Sequence, residues 1–314
     1  MEPLFFKPIY KNVIWGGNNI SKILKRDVVG NDIGESWELS AHPSGISELE
    51  NTNMNEKNLF ELFNNKSLRK EIFGIRCIGM EKFPILIKFI DATDNLSIQV
   101  HPGDKYAEKY ENDSGKTEVW YIMECKNNAK IVYGFKDDVT LNNLKESINN
   151  IEKNVKYVNV NKGDFISIPS GTIHAIMKGI LLCEIQQSSD VTYRVYDWNR
   201  LDKDGKPRQL HIEKALDVIN LSNNNKISNY EKLDYNLNIY KSKPFNIDMI
   251  NVKNKLDEVS SEDSFFAYVV IEGKGNIKSH NYSRNIEKGT TFLIPSTLGN
   301  YTLIGNMKLM KIYL

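Results

Sequence analysis

Long apolar runs are missing from this chain: none approaches the roughly 20 residues that a membrane-spanning helix needs. The first residues, Met1-Glu2-Pro3, carry neither the basic start nor the apolar stretch of a secretory signal. An excess of one charge sign is missing too. Lys and Arg number 41 against 40 Asp and Glu, a net charge of +1. No global field therefore draws the chain onto nucleic acid or an anionic membrane, and an anionic ligand must be met by a few placed cations. Cysteine is scarce: Cys77, Cys125 and Cys183 are far apart and set in mostly apolar runs. That usage argues against a disulfide framework or a cysteine-bound metal and reads as buried free thiols in a reducing cytoplasm. What remains is an ordinary globular composition, 40% hydrophobic and 26% charged over 314 residues. It leaves out disorder, collagen and coiled coil, and it suffices for one large domain or two.

Short runs rich in Val, Ile, Tyr and Phe, broken by Gly, Asn and Asp, set the rhythm. They predict strands over residues 83–91, 96–101, 117–124, 130–135, 157–160, 164–169, 172–177, 180–187 and 192–197. So many short strands at close spacing point to an all-β sandwich or barrel. Helices are expected at the periphery, over 58–64, 67–73, 105–111, 140–148 and 212–219. Thr140 is the N-cap of the fourth, with Leu141, Leu144 and Ile148 at helical spacing behind it. Tripled Asn, as in Asn223-Asn224-Asn225, reads as solvated loop filler, and the polar stretch 221–235 as the domain boundary.

An internal repeat says more than any single strand. Residues 163–169 (GDFISIP) are echoed by 289–295 (GTTFLIP), each followed by Ser, and Tyr121-Ile122-Met123-Glu124 parallels Val269-Val270-Ile271-Glu272. The second copy has lost a histidine: it reads Ser296-Thr297-Leu298-Gly299-Asn300 where the first has Ser170-Gly171-Thr172-Ile173-His174. Only the first copy is expected to bind a metal.

The first copy reads Gly163-x5-Pro169-x-Gly171-x2-His174. This resembles the second signature motif of the cupin family, with Lys178 in place of the Asn that often follows. Glycine opens a tight turn, the strand runs inward, and Pro-Ser-Gly reverses the chain, so His174 faces the barrel interior. Upstream, in residues 96–102 (LSIQVHP), polar and apolar letters alternate. Ser97, Gln99 and His101 share one face of a strand while Ile98 and Val100 pack on the other. Lys116 and Glu118 share a face in the same way. Gln99, His101, Glu118 and His174 can then converge on one ion. Two imidazoles, a carboxylate and an amide oxygen suit a zinc that takes substrate as well. A half-exposed strand or a structural histidine gives the same letters singly; both motifs in chain order, in one repeat only, favour the metal.

On these residues the chain resembles type I mannose-6-phosphate isomerases (phosphomannose isomerases) of the short bacterial form. The resemblance is carried by residues 96–102, by Lys116-Thr117-Glu118, by 169–175 (PSGTIHA), by Glu184 and by 189–194 (SDVTYR). Trp15-Gly16-Gly17 and Ala41-His42-Pro43 also fit. The resemblance covers most of residues 5–220, and the remainder matches as a degenerate second unit. It implies a double cupin of jelly-roll β-barrels with a few peripheral helices, a metal-binding domain over 1–228 and a degenerate one over 229–314. It implies one zinc per chain on Gln99, His101, Glu118 and His174, with Arg194 as the catalytic arginine. The implied reaction interconverts mannose 6-phosphate and fructose 6-phosphate through a cis-enediol-type intermediate. Longer relatives carry a large helical insertion between the Glu and His strands. Here Glu118 and His174 are 56 positions apart, with room for one helix.

Other positions keep two readings. Glu184, alone in the apolar run Ile180-Leu181-Leu182-Cys183-Glu184-Ile185, is either paired in the lumen or raised in pKa for proton transfer. Lys116 holds a substrate oxygen or simply pairs with Glu118. Arg194 supports an oxyanion or pairs with Asp190 or Asp197, and Ser97 with Arg194 can serve the phosphate end. His42 lines the rim as a substrate contact or is structural; His211 and His280 read as bystanders. The basic loop 202–209, with Lys206 and Arg208, is a solvated turn or a flap over phosphate. The expected partner is a small sugar phosphate, with no nucleic acid and no membrane, bound by a monomer or weak homodimer. Two rivals remain: a non-catalytic cupin that only binds sugar phosphate, and an iron-dependent cupin dioxygenase. The second would normally show His-x-His where this chain has Gln99.

Overall fold

The computed structural model describes residues 1–28, 30–50, 54–202, 204–222 and 226–314; the run Asn223-Asn224-Asn225 lies outside them. All nine expected strands form within two residues of their expected ends, and the five expected helices within one. Thr140 caps as its sequence predicts. Its hydroxyl accepts from the Asn143 N–H, and the Asn143 side chain accepts from the Thr140 N–H at 2.7 Å. The three cysteines are free, Cys77 and Cys183 buried and Cys125 half-buried. Among the described residues no helix is long and apolar enough to cross a membrane.

The chain divides into two compact units. One comprises Met1–Ile9, Trp37–Leu86 and Leu233–Leu314, the other Tyr10–Ser36 and Ile87–Lys232. The passage at Lys232–Leu233 falls within the expected stretch 221–235, but residues 1–9 and 37–86 group with the C-terminal segment instead of staying with the rest of 1–228. Leu4 and Phe5 pair antiparallel with Leu293 and Phe292, and residues 72–76 exchange backbone hydrogen bonds with Glu262, Asp263, Phe265 and Ser296.

That first unit holds three 14-residue strands, Asn246–Val259, Phe266–Ser279 and Asn300–Tyr313. Their length is invisible to hydrophobic pattern, because polar letters such as Lys253, Asn254, Lys255, Asp257 and Glu258 fill the outer end of the first. The ladder nevertheless runs unbroken from Asn246↔Tyr313 to Val259↔Asn300. The interior is aromatic: Tyr268 stacks on Phe292 at 5.1 Å, Phe292 on Phe5 at 5.4 Å, and the buried Tyr268 and Tyr301 hydroxyls meet at 2.7 Å.

The second unit is built mainly from two sheets. One orders Ile227–Asn229, Asp164–Ile168, Glu118–Cys125, Ile180–Gln187, Ile85–Ala92, Ile33–Leu39 and Ile9–Gly17; the other orders Val155–Asn159, Lys130–Phe135, His174–Ile176, Ile98–Val100 and Tyr193–Tyr196. A core of Trp120, Ile122, Ile166 and Leu182 from the first sheet and Ile131, Tyr133 and Ile176 from the second fills the space between them. The outer face of the five-stranded sheet carries Ile98, Val100, Val132, Ala175, Tyr193 and Val195, which pack with Leu144 and Ala215 of the helices Leu141–Ser147 and Ile212–Val218. Alternation along each strand therefore sends Gln99, His174 and Arg194 inward.

The internal repeat is structural. Gly163 and Gly289 both have positive φ, +83° and +92°. Gly163 donates its N–H to the Ile122 carbonyl at 2.9 Å, and Gly289 to that of Val270 at 2.8 Å, the matched positions of the two copies. In register, Glu118 faces Ile168 in the first copy, and Phe266 faces Ile294 in the second.

Candidate metal centre

His174 is placed by the turn before its strand. Gly171 has φ +86°, and a Cβ there would meet the Val218 carbonyl oxygen at 2.8 Å, so only glycine fits. Its N–H donates to the His101 carbonyl at 2.8 Å, tying the two histidine segments together. Glu118 opens its strand on the facing sheet. The result is a cluster of His101, Glu118 and His174 whose ligand atoms lie within 4.8 Å of one another, all buried.

Both imidazoles have a fixed tautomer. His101 Nδ1 lies 2.8 Å from the Val191 carbonyl and His174 Nδ1 lies 2.8 Å from that of Thr172. A carbonyl only accepts, so each Nδ1 carries the proton and each Nε2 offers a lone pair to the centre. Each Nε2 stands 3.5 Å from a different Glu118 oxygen. Burial, then the charges of Lys116 and the neighbouring histidine, hold His101 well below the usual imidazole range, and burial holds His174 down at about 4. Burial and then the Glu184 charge push Glu118 up to about 7, against Lys116 and Lys88.

These residues fit a divalent cation. His101 Nε2 and both Glu118 oxygens are buried without a hydrogen-bond partner, the state of atoms shaped to be ligands. Neutral imidazole nitrogens with one carboxylate form a donor set suited to zinc. Gln99 stands beside them, but its Nε2 faces His174 Nε2 at 3.5 Å while its Oε1 accepts from Ser97 Oγ at 3.3 Å. Rotating the amide by half a turn puts the oxygen at the centre and the nitrogen against the Ser97 hydroxyl, which can accept. Through this contact Ser97 lies beside Gln99.

Lys116 is buried with Nζ 3.4 Å from Glu118 Oε2. Glu184 proves to be the paired alternative: Lys88 Nζ lies 3.0 Å from Oε1, and the Trp120 indole N–H donates to Oε2 at 2.9 Å. Burial raises the carboxyl, but Lys88 and Lys116 outweigh it and keep it below its ordinary value. Lys88 also approaches Glu35, at 3.7 Å. Trp120 packs edge-on against the His174 ring at 5.5 Å, so one indole supports both a candidate ligand and Glu184.

Arg194 stands opposite Gln99 in register, donates from Nη1 to the Gln209 carbonyl at 3.0 Å, and keeps a buried Nε without a hydrogen-bond partner. It does not take up Asp197, which binds Arg200 and Arg208 instead. Arg208 is therefore held by an ion pair, while residues 204–207 of the same loop are exposed, as a solvated turn would be. His211 flanks Arg194, accepting its N–H at 3.3 Å on Nδ1. His42 belongs to the other compact unit, where its Nδ1 accepts from the Ser44 N–H at 3.1 Å.

Lys88 and Trp120 escaped the sequence reading. Lys88 carried a usable signal, a lone charge in the apolar run Ile85-Leu86-Ile87-Lys88-Phe89-Ile90, the same signal that marks Glu184. Trp120 carried none, since a buried tryptophan in a strand reads as core.

The sequence model of the phosphomannose isomerase type I catalytic domain matches residues 4–117, and that of the mannose-6-phosphate isomerase cupin domain matches residues 236–314. Similarity thus extends to the C-terminal residues as well. The chain is 37% identical to the mannose-6-phosphate isomerase ManA of Bacillus subtilis, over 97% of this chain and 96% of that one. It is 33% identical to the mannose-6-phosphate isomerase of Streptococcus mutans, over 98% and 97%. A crystal structure of the Bacillus subtilis mannose 6-phosphate isomerase superposes with a TM-score of 0.91 at 33% identity, covering 100% of both chains. With two paired signature motifs, an all-β cupin architecture and relatives matched end to end, the chain belongs to the type I phosphomannose isomerase family.

Proposed function

We propose that this chain is a cytoplasmic, zinc-dependent isomerase that interconverts mannose 6-phosphate and fructose 6-phosphate through a cis-enediol-type intermediate. One observation carries the reading: two proton-fixed imidazoles and a carboxylate converge within 4.8 Å in a buried pocket of one repeat, with a glutamine amide beside them. Gln99, His101, Glu118 and His174 would hold one zinc per chain, which when bound supplies Lewis-acid polarisation of a substrate carbonyl. The metal-binding function lies in the unit that carries the first repeat, and the C-terminal cupin serves without ligands.

The chain's own groups do the rest. Arg194, always charged and with an unsatisfied Nε, supports the developing oxyanion. Glu184, kept ionised by Lys88, serves the site through the Trp120 indole that it shares with His174. Lys116 holds a substrate oxygen from the side of Glu118. The Ser97 hydroxyl orients Gln99 and contributes to substrate binding. A sugar phosphate is the partner, met by a monomer or weak homodimer.

A coupled assay for fructose 6-phosphate tests the reading. Turnover of mannose 6-phosphate should vanish after exhaustive chelation and return with zinc. Turnover that survives chelation with no metal left on the protein rules out the zinc role, and binding without turnover favours the purely binding cupin.

A further inference from the structure

Asp197 follows the strand Tyr193–Tyr196 and is buried, 6% exposed, although charged. Two guanidiniums close on it. Arg208 donates from Nε to Oδ2 at 2.7 Å and from Nη2 to Oδ1 at 2.5 Å, and Arg200 donates from Nη2 to Oδ1 at 2.6 Å. Burial pushes the carboxyl up, but the hydrogen bonds from Arg208 and Arg200 outweigh it and hold Asp197 below its ordinary value.

The backbone beside it is bent in a costly way. Trp198 and Asn199 both have positive φ, +58° and +53°, a region disfavoured for any residue with a Cβ and most of all for a bulky ring. The turn is closed by the Arg200 N–H donating to the Asp197 carbonyl at 3.1 Å, and Trp198 is pinned by its indole N–H on the Leu96 carbonyl at 2.8 Å. Strain of this kind persists where the surroundings over-determine it.

The consequence appears where the chain returns. Leu201 bridges to Pro207, and the Asp202 carboxylate accepts from the N–H groups of Asp204 and Lys206. Arg208 is thereby carried back to Asp197. The next residue, Gln209, gives its carbonyl to Arg194 Nη1, and the His211 N–H donates to the Arg194 carbonyl at 2.8 Å.

We propose that Asp197 is a positioning residue for the isomerisation: by clasping Arg208 and Arg200 it latches the returning segment whose Gln209 carbonyl aims the Arg194 guanidinium inward. The proposal rests on the role given to Arg194 above. Removing the charge while keeping the shape, Asp197→Asn, frees two guanidiniums next to a third and releases the Gln209 carbonyl from its place.

The test is a kinetic cycle on the zinc-loaded protein with Asp197→Asn, Arg194→Ala and the double variant. Asp197→Asn should lower kcat about 100-fold, the scale on which a small misplacement of a reacting group is felt. Zinc content should stay at the wild-type value, and KM should change far less than kcat. Asp197→Glu should restore part of the rate. The double variant should be no slower than Arg194→Ala alone, since both changes act through one guanidinium. Should Asp197→Asn fail to fold, Arg208→Lys, which keeps the charge but loses the bidentate fork, should show the same non-additivity. Losses that multiply, or a kcat within about threefold of wild type for the variant cycled, overturn the latch. Full activity in Arg194→Ala overturns the reading of Arg194, and the latch with it.

Discussion

The two copies of the repeat use one backbone plan and fill it differently. In the first, Glu118, Trp120 and His174 stand where the second has Phe266, Tyr268 and Asn300. The first thus encloses a polar layer of two buried ion pairs, Lys88 with Glu184 and Lys116 with Glu118. The second encloses stacked aromatics, with the Tyr268 and Tyr301 hydroxyls satisfied by each other. Burying charges is costly even when they are paired, whereas packed rings stabilise without that penalty. A fold with no chemical task has no reason to keep the polar layer. The contrast teaches that the glycine turn and the strand pairing belong to the scaffold, while the function resides in a handful of inward letters.

The largest expected effect comes from giving the first copy the second copy's letter. His174→Asn should abolish stoichiometric zinc and lower activity on the order of 10³-fold or more, as read by metal analysis and the coupled assay on one sample. Next is Lys88→Met, which leaves Glu184 as an uncompensated buried charge. Urea unfolding should show a loss of about 3–5 kcal/mol, and Lys88→Met with Glu184→Gln together should recover much of it.

In the second copy the same kind of edit should touch stability alone. Tyr301→Phe strands the Tyr268 hydroxyl and should cost about 1–3 kcal/mol, with zinc content and kcat at wild-type values. An equally large loss of activity would mean that the aromatic copy is part of the catalytic machinery. Smallest is Thr140→Ala, at a helix end away from both interiors. Loss of the cap should cost about 1 kcal/mol in thermal unfolding and leave the zinc site untouched.

Much of the site was legible because period-two alternation states which side chains share a face. Ile98 and Val100 do pack under the helices, which leaves Gln99 pointing inward, and the glycine at 171 does turn the chain so that His174 follows. What alternation leaves open is which strand lies next to which. Trp120 and Glu184 are 64 positions apart and meet through sheet order, so their hydrogen bond has no local signature. Lys88 and Glu184 are joined in the same way across neighbouring strands. The Asp197 clasp depends on two residues in the left-handed region, and neither Trp198 nor Asn199 announces that conformation as a glycine would. The grouping of residues 1–9 with the C-terminal unit is likewise set by one strand pairing, which composition does not record.

Anomalous scattering from a crystal of the active enzyme, collected on both sides of the zinc absorption edge, addresses the central claim most directly. A single zinc peak per chain should lie within bonding distance of His101 Nε2, Glu118, His174 Nε2 and the Gln99 side-chain oxygen. An active enzyme whose zinc signal sits elsewhere, or which shows none, would contradict it.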